Sequence, residues 1–132
     1  MYATYLQRMV NSYMDCADWT EEERLWEEAQ EIGVEIMGWH ADAVVAAERE
    51  CLSFLLASWN DDDDDPTVHD VLVELGIGPE FAGLNLWLSR NDHGTGWWDR
   101  DLGSDGDRLH SMSTAMGSSD PYIGDDGWQY LA

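Results

Sequence analysis

The chain has 132 residues and carries 28 Asp and Glu against 6 Lys and Arg, a net charge of −22. That balance excludes direct binding to nucleic acid or to an anionic membrane surface, both of which need a basic footprint. The length suits a single domain over 1–132, able to bury roughly two-thirds of its unfolded surface, and 44% hydrophobic residues with eight Trp exclude a disordered chain. Every basic residue is Arg (Arg8, Arg24, Arg49, Arg90, Arg100, Arg108), and 17 acids fall in 1–65 against 11 in 66–132. The charge is therefore a property of the whole surface, where it repels itself, aids solubility and speeds encounter with basic partners. A nucleic-acid mimic, a protein of a high-salt cytoplasm and a generic acidic interaction module would each account for it. Lys depletion fits a halophile and equally a GC-rich genome.

Residues 2 to 16 form the first expected helix, with Tyr2, Tyr5, Leu6, Met9, Val10, Tyr13 and Met14 at three- and four-residue intervals. Asp18-Trp19-Thr20 predicts a break, with Thr20 as N-cap and Glu23 completing a capping box. An acidic helix follows over Thr20 to Ile36. Its apolar stripe is Leu25, Trp26, Ala29, Ile32 and Ile36, and Glu23, Glu27, Glu31 and Glu35 recur every four residues. Such spacing stacks carboxylates along one helix face at steps of about 6 Å. Acids at Glu21 to Glu23 suit a helix N-terminus, but like charges at i and i+4 cost a few tenths of a kcal/mol per pair, so the rest of the row has no local explanation. The row is comparable in spacing to the charges of a nucleic-acid strand, where a duplex carries one charge per ~1.7 Å; a solvated face of a very acidic protein is the plainer reading.

Helical periodicity resumes from Trp39 to Trp59 through Ala43, Val44, Ala47, Cys51, Leu52, Leu55 and Leu56. With Gly33 and Gly38 intervening, either one kinked helix or two helices meeting near Gly38 is expected. Trp26, Trp39 and Trp59 read as core and helix-end anchors. Asn60 to Pro66 encloses five consecutive Asp, Asp61, Asp62, Asp63, Asp64 and Asp65, and reads as an exposed loop. Counted from Asp61, Pro66 stands where a calcium loop requires Gly. Thr67 to Leu75 predicts a short helix closed by Gly76, and Pro79 to Gly83 a single helical turn. Leu84 to Ser89 alternates as a strand does, and Trp97-Trp98 reads as its hairpin partner across the turn Asn91 to Gly96. Asp105 to Met116 predicts a helix closed by Gly117, and Tyr122-Ile123 with Trp128 to Leu131 a last pair of strands around Gly124-Asp125-Asp126-Gly127. The fold class expected is α+β: a helical half (1–59), the Asp-rich loop (60–66), and a half (67–132) bearing a small antiparallel sheet with one covering helix.

Chemistry-bearing clusters are few. Asn91, Asp92, His93, Asp99 and Arg100 invite a hydrolase with His93 as base, but no nucleophile motif, phosphate loop or HExxH box accompanies them. The plainer role is a turn hydrogen bond for His93 and an ion pair of Asp99 with Arg90 or Arg100. Asp99, Asp101, Asp105 and Asp107 lack the Gly and closing Glu of a calcium loop. His40, His69 and His110 are scattered, and Cys16 and Cys51 fit neither a metal spacing nor a disulfide framework. No catalytic residue, metal or cofactor is assigned. With no signal-peptide pattern and no apolar run of membrane length, a soluble intracellular protein is expected.

The block Leu84 to Gly127 resembles a family of small bacteriophage and prophage proteins. The residues that carry the resemblance are Leu86-Trp87-Leu88-Ser89-Arg90-Asn91, His93-Gly94, Gly96-Trp97-Trp98-Asp99-Arg100, Gly106-Asp107-Arg108-Leu109, Gly117 and Tyr122-Ile123-Gly124-Asp125-Asp126-Gly127. Trp97 stands where that family often has Phe, and the acidic N-terminal half has no counterpart in it. The resemblance implies a phage origin and a host bacterial cytoplasm, and it implies no activity. Joined to the charge row, it leads to the expectation of an inhibitor that imitates nucleic acid and blocks a basic nucleic-acid-binding host protein, such as a CRISPR effector or restriction component. The expected contact set is Glu23, Glu27, Glu28, Glu31, Glu35, Asp42 and Asp61 to Asp65. A non-enzymatic acidic module whose charge serves solubility or salt adaptation is the alternative.

Overall fold

The computed structural model describes residues 2–60 and 66–132, apart from the side chain of Tyr2. Helix α1 (Tyr2–Ile32) runs uninterrupted for 31 residues, so the break expected at Asp18-Trp19-Thr20 does not occur. Thr20 turns its hydroxyl back onto the helix, donating to Cys16 O at 2.9 Å, the alternative to capping that is open to Ser and Thr inside helices. Trp87 Nε1 donates to Thr20 Oγ1 at 2.9 Å. The helix ends at Gly33, whose N–H makes the last helical bond to Ala29 O at 2.9 Å and whose φ of 83° brings the Val34 N–H onto the same Ala29 O at 3.1 Å. The chain then extends into β1 (Gly38–Trp39) before α2 (Ala41–Leu56). Two helices do share this region, but a strand stands where they were expected to meet.

Helix α2 buries Ala43, Ala47, Cys51, Phe54 and Leu55. Ser58 and Thr67 then pair as an antiparallel bridge, which ties together the two flanks of the Asp run; Asp61 to Asp65 themselves lie outside the described residues. A capping box does exist, at the start of α3 (Val68–Glu74): Asp70 Oδ2 accepts from Thr67 N at 3.0 Å and Thr67 Oγ1 accepts from Asp70 N at 3.3 Å.

The expected strand Leu84–Ser89 is helical, part of α4 (Pro79–Arg90), with Pro79 in its first turn. This helix runs through the middle of the molecule: Ala82, Gly83 and every residue from Asn85 to Arg90 are buried. A helix buried on all sides loses the one-sided apolar stripe that would distinguish it from a strand. It packs against α1 at Gly83, where a β-carbon would stand 2.3 Å from Met9 O and 2.8 Å from Tyr13 N. Trp97–Asp99 forms a 3₁₀ turn in place of a strand, so no hairpin joins it to residues 84–89. Helix α5 (Ser104–Thr114) lies where expected.

Strand β2 (Pro121–Ile123) pairs antiparallel with β3 (Trp128–Leu131), as the turn residues between them indicated, and β1 pairs parallel with β3. The three-stranded sheet has the order β1-β3-β2; it is mixed, because one edge strand comes from the helical half. It packs on α1 and α2, while α5 packs on α4 and the 3₁₀ turn, so the covering helices are not the one expected. The α+β class stands, with a main apolar core drawn from both halves and centred on Met9, Tyr13, Phe54, Leu72, Leu86, Trp87, Trp97 and Leu109, and a small second cluster of Leu25, Ala29 and Ile123.

Candidate partner-binding surface

Helix α1 presents Glu23, Glu27 and Glu31 to solvent. At 100° per residue a four-residue step advances about 6 Å and turns 40°, so the three carboxylates form a slowly winding row. Glu35 is exposed but lies beyond Gly33 in extended chain, outside the helical register. Among the described residues none of these four carboxylates takes part in an ion pair.

Glu28 does not belong to this surface. It is half-buried, accepts from Ile123 N at 2.9 Å, and meets Arg24 Nη1 at 3.3 Å. Its carboxylate fastens β2 to α1, which removes it from the expected contact set. Asp42 is exposed in the first turn of α2, where His40 Nδ1 accepts its backbone N–H at 3.0 Å; a negative charge there has an ordinary helix-dipole explanation.

The cations explain why the carboxylate row stays bare. Arg24, the basic residue within the row's own sequence, reaches Glu21, Glu28, Asp120 and Pro121 O. Arg8 binds Glu80 through two contacts of 2.7 Å, Arg90 reaches Glu50 at 2.5 Å, Arg100 reaches Asn85 Oδ1 at 2.9 Å, and Arg108 reaches Trp59 O. Five of the six Arg are thus held by intramolecular acceptors, and the net negative charge is concentrated outward.

Helix α1 also carries two features absent from the expected site. Trp19 is 70% exposed and Trp26 57% exposed, although Trp26 was expected in the core; of the apolar stripe, Leu25 and Ala29 are buried and Ile32 and Ile36 are not. Seven residues apart, the two indoles stand on one side of the helix about two turns from each other. Glu22 and Glu23 lie three or four residues from each of them and so share that side. Trp19 borders three grooves, one of about 660 Å³ between α1 and α4 with Arg8, Asp15 and Phe81, one of about 430 Å³ with Asp18, Glu22, Ile36 and Gln129, and one of about 380 Å³ with Leu88, His93 and Thr95. Cys16 lines the first, but burial pushes its thiol up to about 11, which keeps it protonated.

Several of the signature residues, Arg90, Ser89 and Trp97 among them, turn inward. Arg90 donates to Gly117 O at 2.7 Å, Met116 O at 3.1 Å and the Tyr13 hydroxyl at 3.0 Å besides Glu50. Ser89 Oγ accepts from Trp97 N, whose indole donates to Ser113, and Asn91 Oδ1 accepts from Ser119 N. His93 lies 3.8 Å from Glu21, and its backbone N–H bonds Leu88 O. Asp99 is the acceptor for Thr95 Oγ1 at 2.6 Å and Gly96 N at 3.0 Å, and stands 3.6 Å from Arg100. These contacts hold its carboxyl below the usual carboxylate range, the Thr95 hydroxyl contributing most. Cys16 and Cys51 are buried and unpaired. Among the described residues no three His, Cys, Asp or Glu side chains converge as a metal site, and no helix is long and apolar enough to cross a membrane.

No protein-family model, curated protein or solved structure matches the chain.

Proposed function

We propose that this chain is a phage-encoded acidic inhibitor that occupies the nucleic-acid-binding cleft of a host defence or DNA-processing protein in the bacterial cytoplasm. The single observation that supports the reading most is the row Glu23, Glu27, Glu31 on a continuous helix, joined by Glu35, with no cation paired to it among the described residues. A surface whose charge served only solubility would gain from local pairing at i and i+4; here the one Arg close in sequence faces Glu21, Glu28 and Asp120 instead. The partner's Lys and Arg would be neutralised where phosphates normally sit, with fast association and an affinity that falls as salt rises. Resemblance of Leu84 to Gly127 to phage proteins supplies the biological setting. The acidic N-terminal half, which lies outside that resemblance, would set the target.

The test is a pull-down from bacterial lysate containing defence systems, with the native chain and a Glu23→Gln/Glu27→Gln/Glu31→Gln/Glu35→Gln variant as parallel baits. A nucleic-acid-binding protein retained by the native bait, released by salt or competing DNA and absent from the variant is the expected result. The same partner on both baits would reduce the row to ordinary solvated surface.

A further inference from the structure

The two indoles on α1 lack an explanation in the fold. Trp is among the side chains whose exposure costs most, yet Trp19 and Trp26 are 70% and 57% exposed and stand on one side of the helix. They are set among carboxylates: Glu22 and Glu23 lie between them along the helix, and Asp15, Asp18 and Glu22 line the grooves beside Trp19. We infer that this face of α1 is a docking site for an arginine-bearing segment of a partner protein. A guanidinium group is planar, weakly hydrated and able to stack on an indole while its N–H groups reach a carboxylate. The alternation of Trp19, Glu22 with Glu23, and Trp26 offers both contacts within one helical repeat. An ammonium group is strongly hydrated and lacks the planar stacking surface, so lysine would gain mostly the charge attraction.

Other occupants fit worse. A second copy of a chain with a net charge of −22 brings like charge to like, and nucleic acid or an anionic lipid surface does the same. Intramolecular cover by Arg8, which lines one of the grooves, is prevented by its two 2.7 Å contacts with Glu80. The proposal narrows the reading above, on which it rests for the cellular partner, from a basic surface to one in which arginine faces α1.

Titration of the full chain with equal-length fluorescent oligoarginine and oligolysine peptides tests it by anisotropy at moderate salt. The native chain is expected to bind oligoarginine about fivefold or more tighter than oligolysine, the scale of one or two partly desolvated cation–π contacts. Trp19→Ala/Trp26→Ala should bring the two peptides to within about twofold while leaving the circular dichroism spectrum unchanged, since neither indole is in the core. Trp98→Ala, which removes a 50% exposed indole that belongs to the 3₁₀ turn and not to α1, should keep the arginine preference. Equal binding of both peptides by the native chain, or an unaltered preference in the double variant, overturns the proposal. A preference that depends on the indoles, together with a pull-down that captures no nucleic-acid-handling protein, would sink the functional reading and leave this one standing. A host partner lost with the four Gln substitutions but kept with the two Ala substitutions would do the reverse.

Discussion

Arg90 is 9% exposed and serves four acceptors, of which Glu50 alone carries charge. The neighbouring carboxylate and burial together push the Tyr13 hydroxyl well above its ordinary pKa, burial first, so that it stays protonated and can donate to Glu50 Oε1 at 2.8 Å. Glu50→Gln leaves the guanidinium buried among neutral groups and should destabilise the fold by roughly 3 kcal/mol, the scale for breaking a buried pair. Urea denaturation midpoints measure it, and Glu50→Leu/Arg90→Met should cost less than the two single changes combined. Asp99 makes a pH prediction. Its carboxyl is lowered in the folded state, so the stability it contributes is present above its unfolded pKa of about 3.9 and is lost as pH falls through the lower folded value. Asp99→Asn should therefore lower the urea midpoint at neutral pH, and the gap to the native chain should close in strongly acidic buffer. A gap that persisted in acid would mean the Thr95 and Gly96 contacts do not depend on the charge.

At the scale of elements, the crossing of α1 over α4 depends on Gly83. Alanine there gains about 1 kcal/mol of helix propensity but places a β-carbon against Met9 O and Tyr13 N, backbone atoms that move only if the helices separate. A net loss of about 1–3 kcal/mol is expected for Gly83→Ala by thermal unfolding. Gly78→Ser at the N-cap of the same helix, where a β-carbon meets nothing within 4 Å, should be neutral or stabilising. These elements also show what was legible beforehand. Helix α5 and the β2–β3 pair were, because each carries its own boundary signals, Gly117 for the one and Gly124 to Gly127 for the other. Helix α4 was not, because tertiary burial removed its periodicity and the alternation Leu84, Leu86, Leu88 then imitated a strand. The run through Asp18 to Thr20 looked like a boundary because Thr favours N-caps; the Trp87 indole, 67 residues away, gives Thr20 a partner inside the helix. A helix boundary there would also separate the two indoles, since Trp19 and Trp26 fall on one face only if α1 is continuous. Among the acids, the tether from Glu28 to Ile123 N could not be read locally, because it needs the sheet, whereas the departure of Glu35 from the helix follows from the left-handed turn at Gly33, a local signal that the run of acids and Ile36 outweighed.

For the molecule as a whole, charge predicts two salt responses of opposite sign. Self-repulsion at a net charge of −22 is screened as ionic strength rises, the Debye length falling from ~10 Å at 0.1 M to ~3 Å at 1 M. The melting temperature of the isolated chain should therefore increase with sodium chloride, while complexes made through the α1 row should dissociate over the same range. Differential scanning calorimetry and a binding titration in matched buffers read the two. A melting temperature indifferent to salt would show that the surface charge is already compensated locally, and it would remove the basis for reading the row as bare.

Strand β3 lies between β1 and β2, although it follows both in the chain. During synthesis the N-terminal helices can leave the ribosome and collapse on one another, but no part of the sheet can form until residues 128–131 have cleared the exit tunnel. His40 N meets Gln129 O only at that late point, and Glu28 meets Ile123 only a few residues before it. Until then Leu25 and Ala29 lack the cover of Ile123, so the nascent protein passes through a stage in which its most acidic helix also shows an uncovered apolar side.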